Sequence, residues 1–500
     1  MTRREFLIAT GGVAATGGLV ALDPQWRHRE LDPHLLNDAH SHLNQTRVAS
    51  VAHPASLQDA MWTVKRARRE GKAICPSGSR HAMGGQQFLA QGQIIDTRSM
   101  NKVLDFDSDR GLVDVEVGIE WPALVAELLR RQEGEHEQWT IPMKQTGADN
   151  LTLGGAISAN AHGRTLTRPP IVADIESVLL IGPSGDPIRC SRTENQELFS
   201  LVHGGYGLFG LMHSATLRLA KRQKIQRHVK LLPIAELTEA FEERVDQGYE
   251  TGDFQFVTDE NAPDFLTRGV FSCYRPVPLD TPIPGNQGSI SSRAWNELVY
   301  LAHTNKAKAF QLYSDYYLKT DGQVYWADTS QLGGYVFDYH QVLDRRMRSA
   351  HPGSEMITEL YVPRAKLADF MGAAAREMRE RRASVIYGTV RLIEKDTESY
   401  LAWAKESYAC VIFNLHVDHH AAGVAKAAED FRALIDLAIE RGGSYYLTYH
   451  RWARPDQVLA CYPNFPSFLK KKLAYDPQEV FQSDWYKHYR QMFTREMASP

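Results

Sequence analysis

Cysteine is scarce in this 500-residue chain. There are five, Cys75, Cys190, Cys273, Cys410 and Cys461, far apart in sequence. No Cys-x-x-Cys pair occurs, which argues against a thiolate zinc site, and an odd, scattered set argues against a disulfide framework. Net charge is also lacking. The formal value of -3 does not fit a surface built to coat nucleic acid. Basic runs such as Lys470-Lys471-Lys472 read as solvated helix faces. Beyond the N-terminus no apolar stretch is long enough to span a bilayer, so no stable membrane insertion is expected. There is no internal repeat, and no low-complexity tract is longer than a loop.

What remains is the composition of a soluble globular chain, 43% apolar and 23% charged. At this length two or three domains are expected, with a core that needs no metal or disulfide staple. Arg3-Arg4 precede a short, weakly apolar Gly/Ala-rich run from Ile8 to Leu22. Paired arginines before such a run resemble a twin-arginine export signal over residues 1–22, which implies a periplasmic or secreted protein. Its cleavage point is not readable.

Residues 23–50 are polar and read as an arm or linker. Ser56 to Glu70 has helical spacing, with Ser56 as cap. Lys72–Pro76, Gln93–Asp96 and Leu112–Val117 read as strands, and Pro122–Arg131 as a helix. Residues 171–219 alternate strand and helix signals, ending on Ala215–Leu219. A boundary is placed in the basic stretch Lys221–Lys230, and residues 277–293 read as a surface loop. Ser444–Thr448 reads as a strand, and Asp476-Pro477 as a capped helix start.

Two glycine-rich segments carry the chemistry. The first includes Ser77, Gly78, Ser79, Arg80, His81, Ala82, Gly85 and Gln86. Such a turn lets consecutive backbone N–H groups face one concavity, which suits a pyrophosphate. The second runs from Leu153 through Gly154, Gly155, Ser158, Asn160 and His162 to Gly163. Its small side chains would let a flat ring lie against the backbone. Gly147 precedes it, and Gly205-Tyr206-Gly207-Leu208-Phe209-Gly210 follows. Each alone is as consistent with a structural turn.

In this order the segments resemble the vanillyl-alcohol oxidase / p-cresol methylhydroxylase (PCMH-type) superfamily of FAD-binding oxidoreductases. The resemblance runs from about Ala55 to Leu219 and resumes near the C-terminus. It implies an α+β fold: a PCMH-type FAD-binding domain over residues 51–222, a separate α+β substrate (cap) domain over 223–440, and a C-terminal segment, 441–500, returning to the first. The cofactor implied is FAD, with Ser77 to Ala82, Gly85, Gln86, Gly147, Leu153 to Gly155, Ser158, Asn160, His162, Gly163 and Gly207 as its contacts.

Several members carry FAD on the histidine of the first loop, and His81 occupies that position. Such a link withdraws electron density from the ring, making it a stronger oxidant, and retains it after export. Ala82 replaces a more usual serine. The second, cysteine anchor of some members is missing, so a single link is expected.

The nearest branch is that of sugar and aldonolactone oxidases and decaprenylphosphoryl-ribose oxidase. Relatives of the latter place a lysine where Tyr449 stands here. Polyol and aldonolactone oxidases carry Glu-x-Arg on a cap strand; Arg391 matches, whereas Thr389 replaces the carboxylate. The expected activity moves a hydride from a CH–OH group of a small-molecule substrate to the flavin, then electrons to oxygen or another acceptor. Tyr449, His450, Arg391 and His416 are the candidate catalytic residues. A flavin carrier without turnover is the rival reading, and a zinc hydrolase on His416, His419 and His420 a third. No metal is expected, because His416 would leave a strand while the other two lie in a loop.

Overall fold

A computed structural model describes residues 32–285, 287, 292–332 and 339–498. The proposed export signal and the start of the arm lie outside the described residues. The fold is α+β.

A three-stranded parallel sheet holds β1 (Ser50–Ala52), β2 (Ile74–Ser77) and β3 (Gln93–Asp96), with β3 central. Helix α1 (Leu57–Arg69) joins β1 to β2. Ser56 caps it by accepting from the Asp59 N–H at 3.1 Å, and it buries Ala60, Val64 and Ala67. Next come β4 (Val103–Asp107), β5 (Leu112–Glu116), α2 (Trp121–Arg131) and α3 (Leu153–Ala159). The set ends with β6 (Ile175–Ile181), β7 (Pro187–Ser191), α4 (Gln196–Val202) and β8 (Leu211–Arg218). Strands β4 to β8 form one antiparallel sheet, ordered β7-β6-β8-β5-β4.

The small-residue run is a helix. Thr152 caps α3 by accepting from the Gly155 N–H, and Asn160 ends it in the left-handed region at φ 50°. Asn160 then donates to Asp396 at 2.8 Å, binding the two halves of the molecule together.

The basic stretch at Lys221–Lys230, where the boundary is placed, is itself folded. It contains most of β9 (Lys224–Pro233), the first long strand of an eight-stranded antiparallel sheet. The reason is Arg227, which turns inward. It is 2% exposed, donates to Tyr274 Oη and Thr320 Oγ1, and stands 4.9 Å from the Tyr325 ring. The same sheet holds β10 (Thr251–Phe256) and β11 (Arg268–Val277). Helices α5 (Ser292–Thr304) and α6 (Lys306–Leu318), then β12 (Val324–Trp326) and α7 (Tyr339–Met347), lead to β13 (Gly353–Pro363). After α8 (Leu367–Glu380) come β14 (Val385–Ile393), β15 (Tyr408–Asp418), α9 (Ala421–Ile439) and β16 (Ser444–Tyr445). The order is β12-β9-β11-β10-β14-β15-β13-β16.

Two C-terminal expectations need correction. The strand expected over Ser444–Thr448 stops at Tyr445. Beyond it the Leu447 carbonyl accepts from Gln86 Nε2 and the Thr448 carbonyl from the Met83 N–H, both on the first glycine loop. Asp476 does not start a helix; it ends α10 (Phe465–Tyr475). Its buried carboxylate pairs with Lys472 at 2.5 Å and accepts from the Val480 and Phe481 N–H groups. That turn lays Val480–Gln482 beside Ile74 of β2, before α11 (Asp484–Met492) begins under a Ser483 cap.

The described part of the arm is packed too. Asp38, 2% exposed, gathers the N–H groups of His40, Ser41 and His42, and Asn44 donates to the Met83 carbonyl at 2.7 Å. This delivers His40 to His81.

Candidate active site

A cavity of about 480 Å³ lies between the glycine segments and one face of the eight-stranded sheet. Its first wall contains Ser77, Gly78, Ser79, Arg80, His81, Ala82 and Gln86, all sequence candidates. A second contains Gly147, Gly154, Gly155, Ser158, His162 and Gly207. Four other candidates stand behind it. Leu153 is core at 1% exposure, and Asn160 is engaged with Asp396. A Cβ on Gly85 would meet Arg451 at 2.4 Å, and one on Gly163 would meet the Lys144 carbonyl at 2.5 Å. These two glycines serve close packing rather than the cavity.

The walls suit an extended dinucleotide. A Cβ on Gly78 would lie 2.1 Å from Thr152 Oγ1, so only glycine lets the first loop close on the cap of α3. At Gly147, φ is +103° and nothing stands within 4 Å of a Cβ position, leaving open room beside the backbone. Such a groove of small residues and backbone is what a pyrophosphate and planar ring require.

His81 lies in this wall between two partners. Its Nε2 stands 3.1 Å from the Asn150 carbonyl, which only accepts, so Nε2 carries the proton. Its Nδ1, 2.9 Å from His40 Nε2, then accepts. Burial, and next the charge that His40 would carry, hold His81 well below the ordinary imidazole value. Burial holds His40 down to about 3. Both rings are therefore neutral at physiological pH.

The opposite wall is made by alternate residues of β13, β14 and β15. In the register, Thr389 stands opposite Ile412, and Ile412 opposite Glu359, so the three form one row across the sheet. Glu359 is 2% exposed. Its carboxylate meets His162 Nε2 at 2.5 Å and accepts from Tyr449 Oη at 3.2 Å. Burial alone would raise Glu359; His162 and then Arg391 outweigh it and hold the carboxyl below its usual range. Burial and the facing Glu359 push the Tyr449 phenol well up, so it remains a neutral donor.

Arg391 lines the cavity at 7% exposure, and its Nε has no hydrogen-bond partner among the described residues. Thr389 Oγ1 and Gln255 Oε1, on the same wall, are likewise buried without partners. Orphaned groups like these cost stability unless a ligand pairs with them.

The structure thus joins Tyr449, Arg391 and His162 around Glu359, a carboxylate absent from the sequence candidates. The only signal for it was an acidic residue inside the apolar strand Met356-Ile-Thr-Glu-Leu-Tyr-Val362. His450 points elsewhere: its ring stacks on Trp452 with centroids 4.0 Å apart, outside the cavity lining. His416 is also apart. It is paired in register with Glu355, four residues along β13 from Glu359. His419 and His420 do not join it. His419 bonds Ser354 Oγ at 2.7 Å, and His420 caps α9.

Comparison with known proteins agrees with this geometry. Residues 48–191 match the family model described as FAD binding domain. An uncharacterized oxidoreductase of the fasciation locus in Rhodococcoides fascians is 29% identical over 182 residues, 36% of this chain and 40% of that protein. Cytokinin dehydrogenase 9 of Oryza sativa subsp. japonica is 27% identical over 190 residues, 37% and 35% of the two chains. These matches span well under half of the relatives' length. L-gulono-1,4-lactone dehydrogenase of Mycobacterium tuberculosis is 22% identical over 438 residues, 87% of this chain and 95% of that one. No helix among the described residues is long and apolar enough to cross a membrane. Residues 48–191 thus match an FAD-binding domain, and the proteins this chain is similar to include a cytokinin dehydrogenase and an L-gulono-1,4-lactone dehydrogenase.

Proposed function

We propose that this chain oxidises a CH–OH group of a small organic substrate, with Glu359 as the proton acceptor. The observation that carries the reading is the buried Glu359 carboxylate on the cavity wall, held by His162 and Tyr449 and facing Arg391. Bound FAD supplies the acceptor for the hydride that leaves the substrate carbon. Glu359 takes the hydroxyl proton as the C–H bond breaks and the C=O bond forms, and the neutral Tyr449 phenol holds the Glu359 carboxylate in place by donating its one proton to it. Arg391 Nε, Thr389 Oγ1 and Gln255 Oε1 have unmet hydrogen-bonding capacity for further substrate oxygens. Leu298, Val299 and Phe310 give the far wall an apolar surface for the rest of the molecule.

His81 is the residue proposed to hold the flavin covalently, because its neutral ring is fixed by His40 and the Asn150 carbonyl at the cavity edge. Twin-arginine export is proposed on Arg3-Arg4 and the run after them. Residues 51–222, 223–440 and 441–500 are proposed as flavin domain, cap and returning segment.

The test is anaerobic bleaching of the purified yellow protein by sugars, lactones, aromatic alcohols and amino alcohols. Bleaching by at least one CH–OH donor supports the proposal. A flavin reduced only by amines, or by none of the panel, overturns it.

A further inference from the structure

A second cluster of histidines and a carboxylate lies on the same cavity wall as Glu359, but farther along β13. Glu355 is separated from Glu359 by two inward positions, about 13 Å at the rise of a strand. Its carboxylate is met from three elements. His416, its register partner on β15, brings Nδ1 to 3.6 Å of Oε1. His303 of α5 brings Nε2 to 2.8 Å of the same oxygen, and His340 of α7 brings Nε2 to 3.1 Å of Oε2. The side chains of His303, His340 and Glu355 are all more than nine-tenths buried.

The proton arrangement of His303 is informative. Its Nδ1 lies 2.9 Å from the Val299 carbonyl, which only accepts, so Nδ1 is the protonated nitrogen. Its other nitrogen, Nε2, faces a carboxylate oxygen at 2.8 Å, so either a proton or a metal ion must stand between the two atoms. A ring N–H given to a backbone carbonyl, with the other nitrogen aimed at a shared centre, is how metal-bound histidines are held. His340 adds an independent sign. Neither of its ring nitrogens makes a hydrogen bond among the described residues, nor does His416 Nδ1. The ring of His416 is also fixed in place, because a Cβ on Gly353 would fall 2.4 Å from its Cε1. One donor atom from each of His303, Glu355 and His416 fits within 4.8 Å of the other two.

We propose that Glu355, His303 and His416, with His340 as a fourth donor, bind a divalent first-row transition ion of the zinc class. Imidazole nitrogens and one carboxylate suit that class, whereas calcium and magnesium prefer oxygen throughout. The ion would tie α5 and α7 to β13 and β15. Because Leu298 and Val299 of α5 line the cavity, it would fix the wall facing the substrate. Binding would displace any proton held at His303 Nε2 and would form no new covalent bond between residues. The site stands apart from Glu359, so it does not depend on the proposed substrate chemistry.

The test uses the flavin-loaded protein, stripped with EDTA, incubated with zinc chloride and desalted. Zinc is then counted per chain by atomic absorption, and melting is followed with and without added zinc. One zinc per chain and a melting temperature raised by zinc are expected. Glu355→Gln and His303→Gln should each weaken zinc binding by about 100-fold, the upper end of what disturbing a metal's surroundings costs. Should either variant prove insoluble, cobalt(II) added to the wild type decides. Ligand-field absorption at longer wavelength than the flavin band, abolished by zinc, supports the site. Substoichiometric zinc in the wild type, zinc binding undiminished in soluble variants, or no cobalt band overturns it. None of these readouts involves substrate, so failure here leaves the oxidation proposal standing, and the converse holds.

Discussion

Replacing Glu359 by glutamine removes a proton acceptor while keeping its volume. In the wild type this carboxylate contacts His162 Nε2 at 2.5 Å and Tyr449 Oη at 3.2 Å, at 2% exposure. Glutamine retains one oxygen for one of these donors and presents an amide to the other, so the wall stays packed but loses its base. A positioned general base contributes about 10² to 10⁴ in rate, or about 3 to 5 kcal/mol of barrier. The first-order rate of anaerobic flavin bleaching in Glu359→Gln should fall by that factor, with the flavin fully retained. The pH dependence is a second readout. Burial raises Glu359, but His162 and Arg391 together hold it below the ordinary carboxyl value of 4.5. Bleaching should therefore be level above that value and fall only at more acid pH. Arg391→Met removes one of the two lowering charges and should move the acid limb upward. A glutamine variant that bleaches within about threefold of wild type, well short of the general-base range, would refute the assignment.

Four further outcomes follow from the structure. His81→Ala should release its flavin on denaturation, read as lost fluorescence of the protein band on a denaturing gel; His40→Ala should lower the tethered fraction, since it removes the partner of His81 Nδ1. Gly78→Ala should purify with little flavin, because its Cβ meets Thr152 Oγ1 at 2.1 Å; near-stoichiometric absorbance would show that the loop can yield. Asp476→Ala leaves the buried Lys472 ammonium unpaired and should cost about 3 to 5 kcal/mol, read as a lower denaturation midpoint at unchanged slope. His203 is held by burial at about 4, against 6.5 for an ordinary histidine. A depressed histidine stabilises the fold above 6.5 and loses that contribution as pH falls toward 4; the full loss, about 3 kcal/mol at 1.36 kcal/mol per unit, should disappear from the pH–stability curve of His203→Gln.

Local signals carried much of this fold. Ser56 was readable as a cap, Pro122 as a first-turn residue, and the loop from Ser77 to Ala82 as a turn that could wall a concavity, because each depends on neighbours in sequence. The errors arose where distant groups decide. Lys224 to Lys230 read only as basic and polar, whereas Tyr274, Thr320 and Tyr325 draw Arg227 inward from a strand. Leu447 and Thr448 leave the strand pattern because their carbonyls are claimed by Gln86 and Met83, more than 360 residues away. His450 and Tyr449 are adjacent in sequence, yet only Tyr449 faces the cavity, since the His450 ring lies against Trp452.

Glu359 was hidden for a related reason, and its position changes what Thr389 means. Read along one strand, Thr389-Val390-Arg391 lacks the carboxylate that should accompany its arginine. Read across the sheet, Thr389, Ile412 and Glu359 share one row, and Arg391 lies within electrostatic reach of Glu359. A carboxylate needs only to reach the cavity face beside the arginine, and any strand of that row can supply it. Moving it two strands over places it next to His162, whose contact with Glu359 joins the two halves of the molecule at the cavity wall. A Thr389→Glu, Glu359→Gln double variant restores a carboxylate to the row, one inward position from Arg391. Recovery of bleaching over Glu359→Gln alone would show that the row, rather than the strand, is the functional unit. No recovery would show that His162 and Tyr449 must touch the base directly.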